Sequence, residues 1–155
     1  MILKECINNM RVILQRVKKA NCIVDKQVVS EINKGYLLLV GFTHTDTLDN
    51  VNKMAKKISN LRVFEDEAGK MNLSIKSVDG SILAISQFTL YADPTSGNRP
   101  SFVDAMKPVE ANALYEKFVE ILNNEYQIIT KKGVFGADME LNPVCDGPVT
   151  ISLEF

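Results

Sequence analysis

The sequence predicts an α+β fold in two layers: a mixed, largely antiparallel sheet covered by two main helices. Three observations carry that prediction. Apolar runs of strand length come in blocks along the 155-residue chain. Only two stretches show helical spacing, one from Leu48 and one from Pro108. The helical stretches do not alternate strictly with strands, as a doubly wound parallel sheet would require. With no Pro/Gly/Ser-rich linker, low-complexity tract or repeat, the pattern reads as one domain over residues 10–155. Residues 1–9 read as an N-terminal extension or tail, because the first strand-like run opens at Met10.

The elements follow in order. Residues 11–17 (RVILQRV) make the first strand, and Cys22-Ile23-Val24 and Val28-Val29 flank a short Asp25-Lys26 turn. Residues 36–42 (YLLLVGF) are nearly all apolar, as a central strand with both faces covered would be. Leu48, Val51, Met54, Ala55, Ile58 and Leu61 then recur at three- and four-residue steps, with Thr47 as N-cap. Lys53, Lys56 and Lys57 fall on the outer side of this helix, as a solvated face or a phosphate-binding patch. An Asp79-Gly80 turn leads into a buried strand at residues 82–85. The second helix starts near Pro108, with Ala111, Leu114, Tyr115, Phe118, Ile121 and Leu122 on one stripe. Further strands are expected at residues 127–130, around 139–141 and at 149–155.

Composition excludes several function classes. The chain is 46% hydrophobic and 24% charged, with a formal net charge of -1, so no global positive field draws in nucleic acid. A local basic patch remains open. Cys6, Cys22 and Cys145 form no C-x-x-C pair and fit neither a disulfide framework nor a zinc-finger spacing. A reducing, cytoplasmic setting is expected, with no membrane span, since no apolar run reaches the length a bilayer needs.

The catalytic inventory is thin. His44, the single histidine, sits in a Thr-His-Thr-Asp turn, and there is no nucleophile elbow, Walker loop, dinucleotide-binding glycine motif or H-E-x-x-H. Cys145 has no basic neighbour in sequence to make it a thiolate, and Asp and Glu form no ligand cluster with a histidine. Neither a metal nor a cofactor is expected. Two segments stand out instead. Residues 86–93 (SQFTLYAD) end a buried strand with hydroxyls and an amide, and alternation would set Ser86, Phe88 and Leu90 on one face and Gln87, Thr89 and Tyr91 on the other. Asp146-Gly147-Pro148-Val149-Thr150 places a glycine able to approach a ligand closely beside a rigid proline.

Those two segments, S-Q-F-T-L at residues 86–90 and G-P-V-T at 147–150, resemble the signature motifs of the D-aminoacyl-tRNA deacylases. Residues 10–17, 35–41, 61–66, 97–100 and 135–139 resemble the same family in the same order, from Met10 to the end of the chain. The resemblance implies a homodimer of the D-aminoacyl-tRNA deacylase fold. It would hydrolyse the ester between a D-amino acid, or glycine, and the 3′-terminal adenosine of tRNA, sparing L-aminoacyl esters. That would be chiral proofreading in translation quality control, with glycine mischarged on tRNA-Ala among the substrates. Ser86, Gln87, Phe88 and Thr89 would form the catalytic wall around the scissile ester. Gly147-Pro148 would be a Gly-cis-Pro element reaching from one subunit into the other's pocket, and Phe135, Gly136 and Met139 would lie near the terminal adenosine. The family usually reads N-x-G-P-x-T, and here Cys145 occupies the Asn position, replacing a two-way hydrogen bonder by a weak donor.

Two mechanisms are compatible with these residues. Main-chain N–H groups near Phe88 and Thr89 polarise the carbonyl while the ribose 2′-hydroxyl helps a water attack, or Thr89 itself is the nucleophile, with no adjacent histidine or lysine to activate it. A different class stays open beside both, a non-catalytic module binding an amino acid or an aminoacyl-tRNA end. Lys131-Lys132 reads either as a phosphate contact or as a solvated turn.

Overall fold

In the computed structural model, which describes residues 9–155, the first strand is longer than the sequence suggested. β1 (Arg11–Val24) joins two expected segments into one 14-residue strand. Its pairing with the last strand, β8 (Glu140–Glu154), slips between Gln15 and Val17 and again between Val17 and Lys19. Such slips turn side chains to the opposite face. Val12 and Leu14 accordingly enter the core on the helical side, whereas Val17, Ala20 and Cys22 enter a second core on the other side. The expected extension over residues 1–9 lies, Asn9 apart, outside the described residues.

Asp25 and Lys26, at φ 49° and 63°, make the tight turn into β2 (Gln27–Ile32), as two left-handed central residues do in hairpins. β3 (Gly35–Gly41) is central, antiparallel to β1 and parallel to β6 (Ser81–Ser86), which pairs in parallel with β7 (Thr130–Lys132). The order is β2-β1-β3-β6-β7, with β8 on the other edge of β1. β3 is buried on both faces, with Tyr36, Leu38 and Val40 toward the helices and Leu37 in the second core, so its sequence is nearly all apolar.

α1 (Leu48–Asn60) starts at the expected Thr47 cap, whose N–H donates to Asn50 Oδ1 at 2.8 Å. α2 (Pro108–Asn124) starts on its proline. Both helices lie on one face of the sheet, with Val51, Met54, Ile58, Tyr115, Phe118 and Leu122 in the same core. No helix among the described residues is long and apolar enough to cross a membrane.

Three expectations change. The strand placed at 127–130 begins only at Thr130, because Gln127 adopts φ 55° and Asn123 clamps Thr130, accepting its N–H at 2.8 Å and donating to its carbonyl at 3.0 Å. The two strands placed around 139–141 and at 149–155 are one 15-residue strand, β8. A small hairpin of β4 (Phe64–Glu65) and β5 (Met71–Leu73) was not expected, being too short to show a period.

Candidate active site

β3 and β6 end side by side, Val40 opposite Ser86, and the chain leaves β6 in a way that only glycine on β3 permits. A Cβ on Gly41 would lie 2.9 Å from the Gln87 carbonyl oxygen and 3.0 Å from Leu90 Cβ. The Gln87 N–H still donates to the Val40 carbonyl at 2.7 Å, but Phe88–Tyr91 then form a single 3₁₀ turn. This corrects the expected alternation, since a 3₁₀ turn advances three residues per turn rather than two per repeat. Tyr91 is buried, whereas Phe88 is 56% exposed and meets Phe102 edge-to-face with ring centroids 5.2 Å apart.

A cleft of about 600 Å³ opens at this strand end. It brings together six of the expected residues: Ser86, Gln87 and Phe88 from one side, Phe135, Gly136 and Met139 from the other. Tyr115 steadies both sides, with its hydroxyl donating to the Ala84 carbonyl at 2.6 Å and its ring 6.2 Å from that of Phe135. The first N–H groups of a helical turn have no acceptor within the turn, which is the position of those of Phe88 and Thr89. Thr89 itself is exposed and outside the lining, and its hydroxyl accepts a hydrogen bond from Gln87 Nε2.

The third wall, with Phe102, Met106 and Lys107, lies beyond the 97–100 segment to which the sequence points. It is stitched to the end of β3. Thr43 Oγ1 donates to the Asp104 carbonyl at 2.6 Å, the Met106 N–H to the Phe42 carbonyl at 3.0 Å, and His44 Nε2 lies 2.6 Å from the Val103 carbonyl. His44 thus serves the turn. Beneath it, Asp46 is buried and accepts the Thr43 N–H at 2.7 Å. Burial pushes its carboxyl up to about 6, against the opposing hydrogen bonds from the Thr43 and Met10 backbone.

Gly147 and Pro148 lie elsewhere in the protomer. They are exposed on β8, outside the cleft lining, and joined by a cis peptide bond, with Gly147 at φ 120°. What holds them is Arg16, a residue the sequence reading passed over. Its side chain is buried, and its guanidinium donates to the Val63 carbonyl at 2.6 Å and to the Asp146 carbonyl at 3.2 Å. The Asp146 carboxylate lies 3.4 Å from the same guanidinium. Cys145 is exposed beside Val17 in the ladder, so support of this segment falls to Arg16 and not to residue 145.

The remaining candidates separate clearly. Lys131 Nζ donates to the Glu31 carbonyl at 2.7 Å and Lys132 pairs with Glu116 at 2.9 Å, so both are engaged within the domain. Lys53, Lys56 and Lys57 are exposed, as expected. Among the described residues, no three His, Cys, Asp or Glu side chains gather into a metal-ligating group. Chemically, the cleft offers aromatic and aliphatic walls for a planar group, main-chain donors for a polarised oxygen, and the Lys107 charge at one wall.

Comparison with known proteins gives a consistent picture. The family model described as D-Tyr-tRNA(Tyr) deacylase matches residues 13–154. A D-aminoacyl-tRNA deacylase of Exiguobacterium sp. (strain AT1b) is 56% identical over 145 residues, covering 94% of this chain and 98% of its own. One from Fusobacterium nucleatum is 52% identical, covering 94% and 95%. Among solved structures, a c-Myc DNA Unwinding Element Binding Protein superposes with a TM-score of 0.88 at 40% identity, over 94% of this chain and 98% of that one. A probable eukaryotic D-amino acid tRNA deacylase gives 0.84 at 15% identity over 95% and 100%, a likeness of fold alone.

Proposed function

The chain belongs to the D-Tyr-tRNA(Tyr) deacylase family, and on that premise we propose that its cleft takes the aminoacylated 3′ end of tRNA and cleaves the ester when the amino acid is D or is glycine. Membership makes the chain a hydrolase of aminoacyl-tRNA esters. The finer reading concerns chirality, the residues that enforce it, and a role in cytoplasmic quality control that includes glycine mischarged on tRNA-Ala.

The observation that carries it is the separation of the two motifs. In one protomer, the residues 86–88 wall belongs to the cleft while Gly147 and Pro148 stand exposed on β8. The cleft mouth carries exposed apolar side chains, with Phe88 56%, Phe102 41% and Val103 77% exposed, of a kind that a partner surface covers. A homodimer meets both needs, since a second copy supplies Gly147-Pro148 to the cleft and covers the rim. The element's main-chain oxygens would take the substrate amino group and occupy the space an L side chain requires. A D side chain points the other way, and glycine has none.

The chemistry asks little of side chains. An aminoacyl ester is already activated, so a positioned water and donors for the developing oxyanion suffice, each donor being worth about 10²–10³ in rate. The N–H groups of Phe88 and Thr89 would fill that role. The ribose 2′-hydroxyl, adjacent to the ester, would help deprotonate the water. Phe135, Gly136 and Met139 would hold the terminal adenosine, and Lys107 would face the phosphates that follow it.

The test is release of amino acid from matched D- and L-tyrosyl-tRNA, with and without a chelator. Rapid release of the D form alone, unaffected by chelator, is the expected outcome. Equal release of both forms would sink the chiral reading, and tight binding without release of either would make the protein a binding module.

A further inference from the structure

We propose that an exposed basic face at the C-terminal half of α1 binds the phosphate backbone of the tRNA body. Lys53, Lys56, Lys57 and Arg62 line one shallow depression, which the Phe155 ring borders. Asp49 reaches Lys53 at 3.0 Å, and both side chains are well exposed, so that pair neutralises little. Among the described residues, Lys56, Lys57 and Arg62 have no carboxylate within ion-pair distance. Elsewhere on the surface Arg11 pairs with Glu154, Lys117 with Glu120 and Lys132 with Glu116. With a formal net charge of -1, attraction for a polyanion must come from a local cluster, and this is such a cluster. Lysines in a last helical turn also complement the helix dipole, which accounts for Lys57 but not for Arg62, two residues past the helix end. Lys57 Nζ also lies 5.9 Å from the Phe155 ring centroid, so an aromatic surface sits among the charges.

The position of the face gives it its partner. Arg62 precedes Val63, whose carbonyl accepts from Arg16, and Arg16 in turn holds the Asp146 carbonyl next to Gly147. The basic face is thus tied through Val63 and Arg16 to the Gly147-Pro148 element, and none of the residues lining it lines the cleft of its own protomer. If that element completes the cleft of a second copy, as proposed above, the face stands beside the mouth from which the acceptor strand emerges. The inference rests on that reading. Phosphate contacts of this kind set affinity and register without reading sequence.

The test compares wild type with the triple variant Lys56→Ala, Lys57→Ala, Arg62→Ala, all three sites being exposed, and with Lys56→Arg, Lys57→Arg. Kinetics are measured on D-tyrosyl-tRNA and on D-tyrosyl-adenosine, and binding of uncharged tRNA is followed against salt. For the triple variant, KM on D-tyrosyl-tRNA should rise about tenfold near physiological salt with kcat unchanged, and the slope of log affinity against log salt should become shallower by about 2. D-tyrosyl-adenosine should be cleaved as before, and the arginine variant should behave as wild type. An unchanged salt slope and KM, or an equal loss on D-tyrosyl-adenosine, would overturn the proposal. If wild type releases no D-tyrosine at all, the proposed function fails, while the salt slope for uncharged tRNA still decides the basic face.

Discussion

The Thr89 hydroxyl accepts a hydrogen bond from Gln87 Nε2, and an amide cannot take the proton that a threonine nucleophile must lose. Thr89→Ala should therefore keep D-tyrosyl-tRNA turnover within about threefold of wild type, far from the loss of 10² or more that follows removal of a main catalytic group. Loss of turnover with binding intact, or a trapped acyl-threonine, would restore the nucleophile. Asp46 supports a prediction of a different kind. Its folded carboxyl titrates at about 6, above the ordinary 3.8, so the native state holds a proton there that the unfolded chain has released. Stability contributed by that proton is present at acid pH and lost as pH rises from about 4 to 6, by about 1–3 kcal/mol. Asp46→Asn keeps an acceptor for the Thr43 N–H and removes the charge. The difference in unfolding free energy between variant and wild type should thus grow in the variant's favour from pH 4 to pH 7, and a difference independent of pH would refute this account of Asp46.

At the scale of elements, β1 and β8 position the Gly147-Pro148 segment through Arg16. This arginine ties β8 at Asp146 to Val63, just before β4, from a buried site on β1. Arg16→Met would leave two carbonyls without their charged donor, costing about 2–4 kcal/mol, and should reduce D-ester turnover beyond what unfolding explains. Denaturant midpoints read beside D and L rates check this, and a stability loss with unchanged D rate would reduce Arg16 to a structural role. The residue was legible in principle, because Arg16 has the same parity as Val12 and Leu14 and so points to the core side. The alternation in RVILQRV nevertheless shows only a strand, and nothing in it names the carbonyls that an inward arginine would bind. The helices were easier, since 13 and 17 residues hold several turns of one period. The short strands were harder, since β7 starts only past the left-handed Gln127, where Asn123 clamps Thr130, and neither feature is a periodic signal. In the site, the residue types of both motifs were legible, but the 3₁₀ turn after Ser86 was not, because it depends on Gly41 of another strand leaving room for the Gln87 carbonyl.

For the whole molecule, the proposed site joins a cleft on one copy to an exposed element on another. Residues 86–88, 135, 136 and 139 come together in a single protomer, and Gly147 and Pro148 do not. Composition, with its slight negative charge and lone histidine, fits a site that works by main-chain geometry on an activated ester. The most direct test mixes two inactive variants. Gly147→Ala, at φ 120° and against Val149, spoils the inserted element, and Gly41→Val displaces the cleft wall by meeting the Gln87 carbonyl. Each should lose D-tyrosyl-tRNA hydrolysis alone. After subunit exchange, mixed dimers carry one intact cleft facing one intact Gly147-Pro148, and D-tyrosine release should return with L-tyrosyl-tRNA still spared. No recovery in verified mixed dimers would contradict a site shared between two copies.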